Sequence, residues 1–190
     1  MITFGARYIS PVQIQKTINK KEIVPYRTAL VELLPNSQKD FLSLGVASTF
    51  LIRKSQLVGY IHDDFALASI GDIATHEWRR FLAITEEQEN YNFIKPRNIL
   101  GLIEFSAFHT DSDYIYVDYI QTMKKILFDK FSHVGTSMLD CIKKLYPQKD
   151  IELDAFPKTV KFYEKNGFEV ITHNTGKDDL IGMKYYCQHK

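Results

Sequence analysis

The chain is predicted to fold as one mixed α+β domain, because strand-like and helix-like segments alternate through its second half. Its 190 residues suit a single compact domain, and a chain of this size buries roughly 70% of its unfolded surface. Thirteen Phe and eleven Tyr favour packed sheets over disorder. A strand–helix–strand crossover within a largely antiparallel sheet is typical of the α+β class.

The first half of the chain gives the weaker patterns. Ser10 followed by Pro11 is typical of an N-cap and a first helical residue, which predicts a helix over residues 11–21. Residues 28–34 favour a strand without excluding a helix. The remaining predictions are a short helix over 37–44, two short strands within 49–61, and a longer helix over 73–89.

The second half gives clearer patterns. Residues 98–108 and 114–122 are rich in β-formers and flank a turn with two aspartates, which predicts an antiparallel hairpin. A basic connection over 123–132 follows. The remaining predictions are a helix over 134–146 ended by Pro147, a strand over 150–154, a helix over 158–166 closed by Gly167, and strands over 168–172 and 180–187.

Composition excludes several classes of protein. The net charge is +1, from 24 basic and 23 acidic residues, so no whole-chain field attracts nucleic acid or an anionic membrane. Cys141 and Cys187 do not make a disulfide framework, and we expect a reducing, cytoplasmic location. No signal-peptide pattern and no apolar run of about 18 residues is present, so we expect no membrane association.

Common catalytic and metal motifs are also absent from the sequence. It contains no His-Glu-x-x-His or Cys-x-x-Cys pattern, and the adjacent His62, Asp63 and Asp64 cannot all face one ion from a strand. We therefore expect no metal site. The chain has no Gly-x-Ser-x-Gly elbow and no phosphate-binding P-loop, which removes the usual hydrolase and nucleotidase interpretations.

The segment Phe162-Tyr163-Glu164-Lys165-Asn166-Gly167-Phe168 carries a family resemblance. It resembles the second half of the signature N-x-x-A-x-x-[FL]-Y-x-x-x-G-F of the GNAT N-acetyltransferase superfamily, with Phe156 and Thr159 in place of the Asn and Ala. The resemblance covers about residues 98–187. It implies a mostly antiparallel central sheet flanked by helices on both faces. It also implies transfer of an acetyl group from acetyl-CoA to a primary amine, by direct attack in a ternary complex.

The same resemblance makes Tyr163 the expected general acid toward the departing CoA thiolate. A phenol, whose pKa is near 10, can donate a proton without losing it prematurely at neutral pH. The alternative interpretation is that Tyr163 only packs its helix onto the sheet.

The family's first signature, [QR]-x-x-G-x-[GA], is matched more loosely by residues 130–135. Lys130 takes the Gln/Arg position and Gly135 the last glycine, while His133 replaces the first glycine. In the family this segment opens a helix whose free backbone N–H groups bind the CoA pyrophosphate. Lysines 124, 125 and 130 are further candidates for phosphate contacts. The cofactor-binding residues implied are Tyr119, Ile120, Lys130, His133, Val134, Gly135, Thr136 and Ser137.

Two acids interrupt the predicted hairpin strands, Glu104 in the first and Asp118 in the second. A charge in a partly buried strand needs a partner or a function. Family enzymes often use a carboxylate here to take the proton of the amine, so either residue is a candidate base. The alternative is that both lie on a solvated sheet face.

The acceptor is not specified by any motif. We expect residues 1–95 and the hairpin to shape its site, with Tyr60, Asp63, Asp64, Trp78 and Tyr116 as aromatic and acidic candidates around a cationic amine. The expected partners are a small-molecule or peptide amine and, as is common among relatives, a second copy of the chain; nucleic acid is not expected. Two alternatives remain open: an inactive CoA-binding or regulatory module of the same fold, and an unrelated α+β domain.

Overall fold

The computed structural model describes residues 6–18, 21–33, 79–106, 113–122, 130–172 and 180–187. These residues form one sheet of nine strands and two helices. The elements are β1 (Arg7–Ile18), β2 (Glu22–Leu33), β3 (Arg79–Glu86), β4 (Ile99–Ser106), β5 (Tyr114–Thr122), β6 (Lys130–Ser132), α1 (Val134–Leu145), β7 (Asp150–Ala155), α2 (Val160–Lys165), β8 (Glu169–Thr172) and β9 (Ile181–Tyr185).

The sheet is mixed and mostly antiparallel, as predicted. The strand order is β6-β1-β2-β3-β4-β5-β7-β9-β8, and only the β5–β7 pair is parallel. Helix α1 makes the crossover between those two strands, since a parallel pair cannot be joined by a tight turn. The predicted α+β class is therefore confirmed.

The prediction of a helix over residues 11–21 is wrong, because this segment belongs to β1. Val12 and Ile14 alternate with polar residues and pack into the core on the helix-bearing face, which is a strand pattern. Proline has no N–H to donate to a neighbouring strand, so it is found at sheet edges. Pro11 is at such an edge among the described strands, because β6 pairs only with Gln15–Thr17 of β1.

The predicted helix over residues 73–89 is also wrong from residue 79 onward, where β3 begins. Phe81 and Ala83 pack on one face of the sheet, while Leu82 and Ile84 pack on the other. A central strand that is buried on both faces gives a continuous apolar run, and such a run also fits a buried helix. The predicted elements within 37–44, 49–61 and 73–78 lie outside the described residues.

The other strands and helices predicted in the second half are confirmed, and their ends lie within two residues of the predicted ends. Part of the predicted basic connection over 123–132 is instead the short strand β6, which pairs with β1. A single turn of 3-10 helix, Pro157–Thr159, precedes α2. Gly167 has φ 80°, the left-handed conformation expected of a glycine that closes a helix.

Both described helices lie on the same face of the sheet. Val134, Met138, Leu139 and Ile142 of α1 pack with apolar side chains of β3, β4 and β5, and Tyr163 of α2 joins the same cluster. A second apolar cluster fills the opposite face, formed by Ala6, Ala29, Val31, Leu33, Phe81, Ala83, Ile94, Ile99 and Leu102. The predicted helices on that opposite face fall outside the described residues.

The far end of α1 contacts an ionic network centred on the buried Glu32. Glu32 is 5% exposed and accepts from Arg7 at 2.5 Å and from Arg80 Nε at 2.7 Å. Arg80 also donates to the hydroxyl of Tyr146, the residue that ends α1, at 2.5 Å. Arg80 therefore links the residue that ends α1 to Glu32 of β2.

The near end of α1 lies close to the sheet because Gly101 has no side chain. A Cβ at this position of β4 would lie 2.6 Å from Cγ1 of Val134 and 2.9 Å from the end of Met138. Such distances are far below van der Waals contact, so any larger residue at 101 would push the first turn of α1 away from the sheet.

Replacing Gly101 should therefore destabilise the protein through its contact with Val134. We expect Gly101→Ala to lower the free energy of unfolding by about 1–3 kcal/mol, a typical effect of overpacking. Because Val134→Ala removes the clashing methyl group, the double variant should lose at least about 0.5 kcal/mol less than the sum of the two single losses. Urea unfolding of the four proteins measures this coupling, and strict additivity would contradict the proposed contact.

Candidate active site

A cleft opens on the helix-bearing face where β5 and β7 separate. The two strands pair from Tyr114 with Asp150 to Val117 with Leu153, while β5 continues to Thr122 without a described partner on that side. The cleft has a volume of about 580 Å³. Its described lining residues come from β5, β6, α1 and the segment around α2: Ile120, Thr122, Phe131, Ser132, His133, Val134, Gly135, Thr136, Thr159, Phe162 and Tyr163.

The first turn of α1 forms one wall of this cleft. The first helical hydrogen bond runs from the N–H of Ser137 to the carbonyl of His133 at 2.8 Å, so the N–H groups of Val134, Gly135 and Thr136 have no acceptor within the helix. The His133 side chain makes no capping hydrogen bond. N–H groups without helical acceptors and the positive end of a helix dipole both favour an anion at a helix N-terminus.

His133 has a left-handed backbone conformation directly before α1. Its φ is 65° and its ψ is 7°, in the left-handed region where histidine occurs more readily than most side chains but glycine is unstrained. The side chain is exposed, and Nδ1 lies 3.4 Å from the Ser132 hydroxyl. The imidazole therefore lies outside the core, at the point where the chain enters α1.

Gly135 allows α2 to approach the first turn of α1. A Cβ at Gly135 would lie 3.0 Å from Cζ of Phe162 and 3.6 Å from Cγ2 of Thr122. The Phe162 ring thus occupies the volume that a side chain at 135 would take. This contact closes the floor of the cleft between the two helices.

Tyr163 is buried beside this contact and lines the cleft. Its exposed fraction is 7%, and its ring lies edge-on to Phe162 and Phe168, with centroid distances of 5.0 and 5.8 Å. Burial raises the pKa of Tyr163 to about 12. Within the described part of the chain its hydroxyl has no hydrogen-bond partner, although a buried tyrosine hydroxyl usually finds one.

The C-terminal end of α2 is held against α1. Gly167 donates to the carbonyl of Glu164 at 2.9 Å, and Phe168 donates to that of Tyr163 at 3.1 Å. Lys143 of α1 donates to the carbonyl of Asn166 at 2.5 Å and lies over the Tyr185 ring. These contacts fix the orientation of the helix that carries Tyr163.

The two acidic candidates lie near a bulge in β5. Glu104 pairs with Tyr119 and Phe105 pairs with Val117, so Asp118 is the extra residue. The Asp118 carboxylate accepts a short hydrogen bond from the hydroxyl of Ser106. Glu104 is 1% exposed and Asp118 is half-buried. Asp118 therefore lies directly after Val117, the last residue of β5 that pairs with β7.

The other predicted site residues separate into two groups. Ile120, Val134, Gly135 and Thr136 line the cleft with His133. Tyr119 and Ser137 do not line it, although Ser137 makes the first bond of α1. Burial, and then the Glu104 carboxylate, raise the pKa of Tyr119 above its usual value. The backbone of Lys130 pairs with Thr17 in β6.

The remaining candidates lie elsewhere. Tyr116 donates to Asp154 Oδ2 at 2.9 Å. Lys124, Lys125, Tyr60, Asp63, Asp64 and Trp78 lie outside the described residues. Within those residues no group of three or more His, Cys, Asp or Glu side chains is arranged to hold a metal ion. None of the described helices has the length and apolar character needed to cross a membrane.

Comparison with known proteins identifies the fold. No family model and no curated protein matches the sequence, whereas 105 solved chains match the structure. One is a protein of the GNAT acetyltransferase family from Desulfovibrio desulfuricans, with a TM-score of 0.59 and 14% identity, covering 84% of this chain and 99% of that one. The chain has the GNAT fold.

Two further structures with this fold show the same agreement. An acyl-CoA N-acyltransferase from Pseudomonas aeruginosa has a TM-score of 0.53 and 13% identity, covering 82% of this chain and 98% of that one. Tetrahymena GCN5 has a TM-score of 0.55 and 11% identity, covering 82% and 94%. The predicted GNAT-like architecture is confirmed, and at these identities the likeness concerns the fold alone.

Sequence reasoning missed several residues that shape the site. Phe162 was seen only as part of a motif, and Gly101, Phe131 and Thr122 were not singled out. Gly101 carried a usable signal, because a glycine inside an otherwise bulky strand often marks close approach of another element. Phe131 and Thr122 carried none, since only the folded sheet brings their strands beside α1.

The raised pKa of Tyr163 predicts a specific titration. The proton is held more tightly in the folded state than at the usual pKa of 10.0, so the resulting stabilisation is complete below pH 10 and is lost as the pH rises toward about 12. Tyrosinate absorbance measured on the wild type and on Tyr163→Phe should differ only in the upper part of this window. A difference that is already complete by pH 10 would show that the phenol is not buried.

Proposed function

We propose that this protein is an N-acetyltransferase that moves an acetyl group from acetyl-CoA to a primary amine in a ternary complex. The observation that carries the proposal is the pairing, in one cleft, of three N–H groups without helical acceptors and a buried tyrosine hydroxyl without a described partner. The first is suited to an anionic diphosphate and the second to a leaving group that needs a proton. The fold shared with acetyltransferases supports the same conclusion.

The described residues fit acetyl-CoA at its phosphate end. Val134, Gly135 and Thr136 would hold the pyrophosphate with their N–H groups, which have no acceptor within the helix. None of the described lining residues carries a carboxylate, so the cleft contributes no local negative charge against a polyanion.

Acyl transfer requires a proton donor for the departing sulfur of CoA. Acetyl-CoA supplies a thioester whose carbonyl carbon bonds to the amine nitrogen while the bond to sulfur breaks. Tyr163 would donate its proton to the departing sulfur. A pKa of about 12 keeps the phenol protonated over the whole neutral range. The burial that raises this pKa also excludes water and strengthens the hydrogen bond that the phenol donates.

For the amine proton we propose Asp118 as the acceptor. Its carboxylate lies at the bulge where β5 leaves β7, and Ser106 orients it by a hydrogen bond. Glu104, the second candidate, is almost completely buried opposite Tyr119. A half-buried carboxylate keeps access to water and to an incoming amine, which favours Asp118 over Glu104.

Replacing Tyr163 tests the proposed general acid. We expect Tyr163→Phe to lower kcat by about 10²–10⁴-fold while the KM for acetyl-CoA changes little, because the hydroxyl acts on the leaving group and not in binding. The measurement is steady-state release of free thiol from acetyl-CoA with a panel of primary amines.

Tyr185→Phe is the matched control for this variant. Tyr185 is a half-buried tyrosine of β9 that contacts Phe168, and it does not line the cleft. It should retain the wild-type kcat. An unchanged kcat in Tyr163→Phe would remove the general-acid role. Stabilisation by CoA without thiol release from any amine would instead favour the inactive CoA-binding module.

Replacing Asp118 tests the proposed base. Asp118→Asn keeps the shape of the side chain and an acceptor for Ser106, but it cannot take a proton. We expect kcat to fall by about 10²–10⁴-fold near neutral pH. Asp154→Asn, an exposed carboxylate on β7, should leave kcat within about twofold. If Glu104→Gln loses the rate and Asp118→Asn does not, the base is Glu104.

A further inference from the structure

The N-terminal hairpin of β1 and β2 pairs with β6, a strand whose residues Phe131 and Ser132 line the same cleft. Strand β6 pairs with β1 in the register Gln15 with Ser132, Lys16 with Phe131 and Thr17 with Lys130. Since β6 runs directly into α1, Lys16 lies across the ladder from a residue only three positions before the helix. Partners across an antiparallel pair have Cα atoms about 4.5–5.5 Å apart.

Lys16 lies on the face of the sheet that carries the cleft. Ile14, two residues earlier in β1, is buried in the core with α1, and side chains two apart on a strand share a face. The Lys16 ammonium lies 5.0 Å from the centroid of the Tyr26 ring and 5.7 Å from that of Phe131. Phe131 is itself part of the cleft lining.

Two aromatic rings hold this ammonium in place. Tyr26 and Phe131 contact each other with centroids 5.3 Å apart, so both present aromatic surface to the Lys16 side chain. Cation–π contacts restrict a flexible lysine and fix where its charge lies. A second link joins the same strands, because Gln15 Oε1 accepts from the Ser132 hydroxyl at 3.4 Å.

We propose that Lys16 is a phosphate-binding residue of the acyl-CoA cleft, supplied by the N-terminal hairpin. This inference rests on the proposed function, and it names a cation for a cleft whose described lining residues include no lysine or arginine. The Lys16 ammonium adds a point charge to the N–H groups of α1, a combination suited to phosphate. The phosphate group is either the pyrophosphate or the 3′-phosphate of CoA.

Calorimetric titration of CoA and of 3′-dephospho-CoA tests this assignment. Lys16→Met keeps most of the apolar stem and removes the charge, so we expect about tenfold or greater loss of CoA affinity. Lys16→Arg keeps the charge and should bind within about threefold of wild type. Lys21→Met is the matched control, because Lys21 is exposed in the turn of the same hairpin.

The outcomes separate the two proposals. Loss for CoA alone assigns Lys16 to the 3′-phosphate, whereas equal loss for both ligands assigns it to the pyrophosphate; each supports the inference. If the wild type binds CoA and Lys16→Met binds both ligands as tightly as Lys21→Met does, Lys16 is only a packing residue and the inference is overturned. If the wild type binds neither ligand, the proposed function fails together with it. Thermal midpoints of all variants establish that each is folded.

Discussion

The geometry of the candidate site depends on the close packing of the first turn of α1 against β4 and α2, which Gly101 and Gly135 allow. The hydrogen atom of Gly101 in place of a methyl group allows the turn to rest on β4, and Gly135 within the turn allows Phe162 of α2 to rest on it. A helix whose N-terminus is held this closely has little freedom to tilt. Its unpaired N–H groups are therefore fixed relative to the sheet and to Tyr163, and preorganised donors are the most effective ones.

The separation of β5 and β7 opens the cleft beside the N-terminus of α1. Pairing with β7 ends at Val117, Asp118 forms a bulge, and β5 then stays paired with β4 while Ile120 and Thr122 line the cleft. A continuous sheet would leave no opening beside α1. The ionic network around Glu32 contacts the other end of the helix through Arg80.

Tyr163 and Asp118 differ in how deeply they are buried. The apolar surroundings of Tyr163 raise its pKa and keep the phenol protonated, which is the form that a general acid needs. Asp118, the proposed base, is only half-buried and accepts a hydrogen bond from the Ser106 hydroxyl. Two titratable groups in contrasting environments are the usual way in which acid and base roles are separated at one pH.

The sequence by itself determined the second half of the fold, since Gly167, Pro147 and the β-rich runs are local signals that end or define elements without help from distant contacts. It also nominated Tyr163 and Gly135. Only the tertiary structure decided that β3 is a strand, because its apolar residues are divided between two buried faces and such a run also fits a buried helix. In β1 the alternation of Val12 and Ile14 with polar residues is a local strand signal, and Ser10-Pro11 is a competing helix signal that the pairing with β2 overrides. The pairing of Lys16 with Phe131 spans more than a hundred residues, and sheet register, which no local pattern encodes, brings that lysine beside a residue that lines the cleft.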